Sequence, residues 1–537
     1  MKRNRLFLLA AMLPMLQVAQ AQTSYEASVL LDTDLSGTAR YVGMGGAMSA
    51  LGADMSTMGT NPAGTALYRS WDAALSFGGN GVTQRTQTNL GKNRAFNAYG
   101  SMDNVGVVIA NKNSNTDVLR FVNFGFNYRN VKRFGGKMGM KANLGGLSQT
   151  NQMVGQAWEN VGYVDYTYFD PNAKNNFFDD DNTKRYFKDF NYGWLTLLGA
   201  YADLMGIYAL EDENGKILFD EEGKVMEDYW YRLANGCNYT ELVSGGIDAY
   251  DFNLSFNLMD AVYLGATFTV YDVNRVFEST YTEYFDGGDY FLQSFYRTVG
   301  SGYDLKLGAI VRPFPESSFR IGVSATTPTV YALHDYNSAI ISSRFYEQNV
   351  CSEKDTFSED ALGGDYLTSY TMIAPAKFNV SLGGTIGRSV ALGAEYEYTD
   401  YGNISLYDED GYDNVGMNEL TSRNFTGKHT LRLGAEKTFG TFYTRLGYNY
   451  ESGGYKDEAY KALAVNSVQT NTAYTNIKST QNFTCGIGFR GDAFYVDAAL
   501  LYNTQKADFY PFDDPELQAA QLTRNLVKGM MTVGLRF

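Results

Sequence analysis

The chain has little of what most catalytic and cofactor-binding proteins are built from. It holds 2 histidines in 537 residues, His334 and His429, in different parts of the chain. No HExxH, CxxC or paired-histidine spacing is present, so no metal site is expected. A haem receptor needs axial ligands that two scattered histidines scarcely offer. A serine nucleophile would need a base and an orienting partner, and no local motif supplies them. Neither an enzyme nor a cofactor is expected. Positive charge is also short: the net charge is −15, and nucleic acid, whose binding rests on Lys and Arg neutralising phosphates, is excluded as a partner. Acidic runs occur at 179–181, 211–213 and 408–410; solvated loop charge is the first reading of them, and divalent bridging to anionic headgroups of the outer leaflet the second. The three cysteines are Cys237, Cys351 and Cys485. Cys485 lies in an apolar alternating run and reads as a small hydrophobe; Cys237 and Cys351 fall in long connections, where a disulfide is one option in an oxidising compartment and free thiols the other. Proline is scarce at 9, and no apolar run reaches the roughly 20 residues of a membrane helix.

What the chain does have is glycine (56), tyrosine (42) and phenylalanine (34), with a mean hydropathy of −0.29. Lys2, Arg3 and Arg5, an apolar stretch from Phe7 to Leu16, and Ala19-Gln20-Ala21 form a secretory signal. Cleavage is expected between Ala21 and Gln22, so residues 1–21 are a signal peptide. Aromatic- and glycine-rich exported chains with short alternating segments suit an outer-membrane barrel.

The alternation is clear from Tyr250 onward. Tyr250, Phe252, Leu254, Phe256 and Leu258 alternate with polar residues, turn at Met259-Asp260, and continue as Val262, Leu264, Ala266, Phe268 and Val270. Similar hairpins turn at 313–317, 387–389, 439–440 and 491–492, and the last strand closes on Phe537. Short turns alternate with long polar connections at 148–246, 278–300, 331–371, 403–427, 451–479 and 504–524, the pattern of a membrane barrel with short periplasmic turns and long outer loops. The polar faces carry Asn, Thr, Ser, Gly, Arg and Glu, as a wet lumen would. Counting back from Phe537 gives about 14 strands by Val105, with Gly135–Leu147 taken as one of them; Trp71–Phe77 then makes one too many for the even number expected. The fold class is an all-β, antiparallel transmembrane barrel of 71–537, preceded by a segment of a different kind at 22–70.

That segment includes Gly37–Gly64, GTARYVGMGGAMSALGADMSTMGTNPAG. It is small, Gly/Ala-rich and nearly uncharged, without helical or strand period, and reads as a plug that needs a container. Ser36 to Tyr41, the glycines at 43, 45 and 46, Ala53-Asp54 and then Asn61-Pro62-Ala63 resemble the N-terminal hatch of the FadL/TodX-type outer-membrane transporters for hydrophobic compounds. The resemblance implies a barrel of 14 strands in a Gram-negative outer membrane, holding a hatch and passing long-chain fatty acids or aromatic hydrocarbons. It implies gating at Asn61, Pro62 and Ala63, an inner ligand site near Gln22 and Tyr25, and a sideways exit at a kink in the third strand, for which Gly145-Gly146 is the candidate because glycine weakens strand pairing. It also implies that the terminal Phe537 is read by the barrel-assembly machinery. A monomer in contact with outer-membrane lipid is expected. In the largest loop, Trp194, Leu197, Leu198, Tyr201, Leu204 and Met205 recur at helical spacing over 194–208. This helix either packs on the loop's own aromatics or offers a greasy groove at the outer mouth. An alternative function is a barrel without transport, whose acidic, Tyr-rich loops bind a surface partner.

Overall fold

A computed structural model describes residues 22–114, 116–159, 192–219, 226–347, 350–357, 365–387 and 389–537. Residues 1–21, where a signal peptide is expected, and the acidic run at 179–181 lie outside the described residues.

Strands form where apolar and polar residues alternate, and they close into a barrel of fourteen antiparallel staves. The first is β1 (Asp72–Thr88), hydrogen-bonded on one side to β2 (Gly91–Lys112) and on the other to the last, β21 (Ala520–Arg536). Trp71 and Phe537 finish the closure: each donates its amide to the other's carbonyl, at 3.2 and 3.1 Å. The third stave is broken into β3 (Leu119–Arg133) and β4 (Gly136–Asn143), both paired with β7 (Gly236–Leu258). Gly135–Leu147 is therefore not a separate strand, which removes the surplus; Trp71–Phe77 opens the first stave and the number is even. Two short strands of the first outer loop, β5 (Met205–Ala209) and β6 (Glu227–Tyr231), pair outside the wall.

The remaining staves run from β8 (Val262–Phe285) and β9 (Gly288–Val311) through β10 (Arg320–Thr326) with β11 (Thr329–Glu347), then β12 (Val350–Phe357) with β13 (Tyr366–Ala374) and β14 (Lys377–Ile386), to β15 (Val390–Asp400). After the short outer β16 (Ser405–Tyr407) come β17 (Gly427–Phe439), β18 (Phe442–Ser452), β19 (Tyr474–Arg490) and β20 (Phe494–Tyr510). Leu75, Phe124, Phe252, Leu264, Phe378, Leu433 and Phe483 face outward and are exposed, while Asn123, Asp251, Asn253, Ser255, Thr267 and Thr269 face inward and are buried. A water-soluble sheet would bury the first set; this inversion belongs to a wall that meets lipid outside and polar groups inside.

Two of the long connections prove to be strand. Residues 278–300 turn only at Asp286-Gly287, and most of 331–371, His334 included, belongs to β11, β12 and β13. Likewise, of 504–524 only 511–519 lie between strands. The reason is a polarity switch along the stave. On β8 the outward positions change from Leu264 and Phe268 to Asp272, Asn274 and Glu278, while the inward ones change from Thr267 and Thr269 to Val273, Phe277 and Tyr281. Above the membrane both sides of the wall differ from the belt pattern, so the apolar-outside signal ends while the backbone stays in the ladder.

Candidate functional site: plug, mouth and seam

The plug fills the lumen from Gln22 to Tyr68. Helix α1 (Ser24–Leu31) starts at Thr23, whose Oγ1 accepts the amide of Glu26 at 3.4 Å, and seven of its eight residues are buried. A helix buried on all sides needs no amphipathic stripe. Gln22 and Tyr25 thus lie inside the barrel. Next comes a strap at 32–36. Asp32 pairs with Lys132 at 2.7 Å and Lys428 at 2.8 Å, and Lys132 also reaches Asp34 at 3.1 Å. Burial alone would raise the Asp32 carboxyl, but the two ammonium groups override it and hold it well below the usual carboxylate range. A depressed pKa contributes stability that is complete above the unfolded value of about 3.9 and is lost as pH falls below it. Protection of the amides of residues 24–34, relative to their intrinsic exchange rate at each pH, is therefore expected to fall when the pH drops from 5 to below about 3, and Asp32→Asn is expected to remove most of that pH dependence.

After α2 (Ala39–Gly43) the chain turns through Gly45 and Gly46 in the left-handed region, with φ of 63° and 81°. It then reaches Asn61. The Asn61 Oδ1 accepts the Ala63 amide at 3.1 Å, capping a short 3₁₀ turn (Pro62–Leu67) that has Pro62 in its first turn. Its Nδ2 donates to Ala309 O and Val323 O, both at 3.4 Å, so one side chain staples the plug to β9 and β10. Ala63 is fully buried.

The wall receives the plug with glycine. Gly383, Gly393, Gly434 and Gly447 pair in one row across β14, β15, β17 and β18. A Cβ on Gly393 would stand 2.2 Å from Ala47 O, on Gly434 2.4 Å from Met44 O, and on Gly447 2.1 Å from Gly45 N. A Cβ on Gly265 would meet the Pro62 carbonyl carbon at 2.3 Å in the same way, and one on Gly308 would meet the Asn61 side-chain Oδ1 at 2.1 Å. Backbone rests on backbone, which only glycine permits. Sequence reasoning missed this band; its signal is glycine at the inward position of strand after strand.

Charged pairs complete the seat. Arg445, its side chain wholly buried, donates to Glu436 and to Asp497 at 2.6 Å each, and Arg40 of α2 bonds the same Glu436 at 3.1 Å. Arg445→Met leaves Glu436 with Arg40 alone and Asp497 with Arg490 alone, which is expected to cost up to about 3 kcal/mol, the lower end for a broken buried pair. A matching fall in the urea midpoint for folding into lipid vesicles is expected.

At the outer mouth, helix α3 (Gln149–Glu159) and helix α4 (Trp194–Tyr201) form a cap. The helix expected over 194–208 stops at Tyr201: Asp203 takes φ 56°, Leu204 N bonds Gly199 O at 3.0 Å, and Met205 begins β5. Leu197, Leu198 and Leu204 are buried and Tyr201 partly so, in one apolar core with Met153 and Ala157 of α3 and with Tyr281, Phe285, Leu292 and Phe512 of the wall and its loops, while Trp194, also buried, lies edge-on to Tyr366 at 6.4 Å. These residues make the inside of a cap, not a surface groove. Glu283 of β8 fastens it, accepting Ser148 Oγ and the Gln149 amide at 2.5 and 2.6 Å. Cys237, in the same core, is a free thiol, so the disulfide option is not taken; Cys485 is also free and faces outward.

Between the plug and the barrel wall lies a cavity of about 100 Å³, lined among others by Leu30, Leu31, Tyr41, Tyr271, Tyr331 and Lys377. That is below the ~300–1,000 Å³ of ordinary ligand pockets, so the space between plug and wall is too small for an ordinary ligand as it stands.

The wall has a weak seam between its second and third staves. β2 pairs with β3 only from Asn104↔Arg129 to Lys112↔Phe121; its outer half, 91–103, pairs with β1 alone. Past that point the third stave leaves β2, and its orphan groups are met otherwise. The Asp34 amide donates to Val131 O at 2.9 Å, the Arg133 amide to Asp34 Oδ2 at 3.1 Å, and Ser36 Oγ to Asn130 O. Thr86, Thr88 and Asn89 side chains donate to Gly139, Lys141 and Asn143 carbonyls at 2.6, 2.5 and 2.9 Å. Phe96 and Met102 stand exposed on the outer flank. Gly145 and Gly146 do not form this break. They lie beyond β4 in a left-handed turn, φ 62° and 98°, and the interruption falls at Phe134-Gly135.

A lipid-facing belt, a closed even-stranded wall and a lumen filled by the chain's own N-terminal segment define an outer-membrane β-barrel with an internal plug. No family model and no curated protein matches the chain. Its shape is similar to a crystal structure of a Pseudomonas aeruginosa FadL homologue (12% identity, TM-score 0.49, covering 94% of this chain and 99% of that one). It is also similar to the P. putida toluene transporter TodX (10%, TM-score 0.46, 94% and 99%) and the Ralstonia pickettii toluene transporter TbuX (12%, TM-score 0.43, 94% and 99%).

Proposed function

We propose that the protein is a channel for passive uptake of small hydrophobic molecules, of the long-chain fatty acid or aromatic hydrocarbon kind. The observation that carries this reading is the seam. A plug seated backbone to backbone on the wall closes the axial route, whereas past Arg129 the third stave has no ladder to β2 and is held by the β1 side chains Thr86 and Thr88 and by the plug's own Asp34 and Ser36. A hydrophobic solute gains nothing from an aqueous pore; a gap that opens toward the bilayer delivers it where it partitions. In this account the apolar residues Trp194, Leu197, Leu198, Tyr201 and Leu204 meet the ligand when the cap lifts. The ligand then occupies the space beside Gln22 and Tyr25, and Asn61, Pro62 and Ala63 hold the plug down while it leaves through the seam. Gly145 and Gly146 serve as the joint between wall and cap. The test is uptake of labelled oleate and toluene by cells carrying the intact chain or a variant with Asn61-Pro62-Ala63 replaced by Ala-Ala-Ser, with barrel folding verified by heat-modifiability. Uptake by the intact chain, lost or deregulated in the variant, is expected; no uptake of either compound by a folded intact barrel overturns the reading.

One observation favours the second reading, a surface-binding barrel. The β5–β6 hairpin projects from the mouth with Phe219, Trp230 and Leu233 exposed. That reading predicts a cap that never lifts and binding that survives replacement of the plug triplet.

A further inference from the structure

Tyr25 is held as a ligand is held. Its ring sits in a box of three other rings, with centroids 5.5 Å from Phe425, 5.7 Å from Tyr455 and 5.2 Å from Tyr474, at interplanar angles of 66°, 31° and 58°. These are the tilted and edge-on geometries that aromatic pairs prefer. Its hydroxyl donates to Asn476 Oδ1 at 2.8 Å. The Asn476 amide is itself oriented: Nδ2 donates to Ala459 O at 2.9 Å, which leaves Oδ1 facing the box. The box comes from three outer elements, the end of the helix at 415–424, the connection at 453–473 and the start of β19, whereas its occupant comes from the plug. Leu30 and Leu31 of the same helix line the internal cavity, so the box and the cavity share α1 as their common wall.

Given the channel reading, we infer that this box is a binding site for a phenol ring and that Tyr25 occupies it as an internal competitor while the channel is closed. The aromatic walls select a flat ring over an alkyl chain. The oriented Asn476 acceptor selects a ring bearing a hydroxyl, because a ring without one buries that acceptor unpaired. An incoming phenol displaces Tyr25, and α1 then rests on Ser28 with Tyr455 (2.9 Å), Glu26 with Lys461 (2.6 Å) and the Asp32 strap. Losing the ring removes the most enclosed of its contacts. Because Tyr25 is tethered, its effective concentration is high, and a free phenol competes with it only at millimolar levels, on the order expected for a short tether.

The test uses the purified full barrel in detergent, with p-cresol as the probe and toluene as the ring lacking the hydroxyl. Added p-cresol is expected to speed amide exchange across residues 24–31 in a saturable way. Asn476→Leu is expected to weaken the p-cresol effect at least tenfold and leave toluene unchanged. Tyr25→Ala is expected to bind p-cresol at least tenfold more tightly than the intact chain, by loss of the competitor. Tyr25→Phe, which keeps the ring, serves should the alanine variant fail to fold, and it is expected to be displaced at lower p-cresol concentration. Unchanged protection of 24–31 up to the solubility of p-cresol overturns the inference. So does equal binding of p-cresol and toluene by Tyr25→Ala irrespective of Asn476, which marks a mere cavity. Uptake assays separate the two readings: p-cresol binding without uptake of any hydrophobic compound overturns the channel and leaves the box, and uptake with α1 undisturbed overturns the box and leaves the channel.

Discussion

A barrel carrying Gly447→Leu is expected to lose its plug and conduct ions. The row Gly383, Gly393, Gly434 and Gly447 offers no side chain on the inner side, and the plug backbone lies directly on it. A Cβ at 447 would fall 2.1 Å from Gly45 N and 2.4 Å from the Met44 carbonyl carbon. Overpacking in a tight core costs about 1–3 kcal/mol when side chains can swing aside. Here the two nearest neighbours are backbone, one of them already committed to φ 63°, and cannot swing, whatever the Thr484 hydroxyl at 2.5 Å does. The wall itself keeps its ladder, since Gly447 pairs through its backbone with Gly434 and Thr484. The stress therefore falls on plug docking. In planar bilayers the intact protein is expected to show almost no steady conductance and the variant an open state persisting for seconds, with new protease cleavage within 37–64. Gly529→Leu on β21 is the control, because a Cβ there meets nothing within 4 Å, and it is expected to stay closed. A Gly447→Leu barrel that stays silent and protected would show that the plug can shift on its seat without leaving.

Much of the barrel was legible because the membrane belt writes a period of two into each strand. Phe252 and Phe268 face lipid, and Asn253 and Thr267 face the lumen, as the alternation requires. Above the belt the rule fails. On β8 the inner side becomes Val273, Phe277 and Tyr281, and the outer side Asp272 and Glu278, so a reader tracking the apolar face sees the strand end while its pairing continues to Phe285. The plug was legible as a segment that could not fold alone, but its seat was not. Glycine in a strand reads as weakness, and only the contact of Gly393 with Ala47 and of Gly434 with Met44 gives it a purpose. The same rule pointed to Gly145-Gly146 as the kink, whereas the stave breaks at Phe134-Gly135, where Tyr99 of β2 lies over Gly135 at 2.3 Å from its missing Cβ. The helix at 194 was visible in its spacing, but its end was set by Asp203 and the β5–β6 pairing, which depend on residues some twenty-five positions downstream.

The central claim is that hydrophobic solute leaves sideways between β2 and the third stave, and a lock across that seam tests it most directly. A Cβ on Gly139 would lie 3.6 Å from Asn93 Cγ, the place that the sulfur of Asn93→Cys would take, so the two positions are near enough to be paired as Asn93→Cys and Gly139→Cys. Neither residue belongs to the plug, its glycine seat or the box around Tyr25. With Cys237, Cys351 and Cys485 replaced by serine or alanine, the new bond is the only covalent tie across the gap. The measurement is uptake of labelled toluene and oleate by cells expressing this double variant, oxidised and then reduced. The account predicts uptake lowered at least tenfold when oxidised and restored by reductant, with each single cysteine variant unaffected. Undiminished uptake through a fully cross-linked barrel would contradict it and move the exit to the lumen axis.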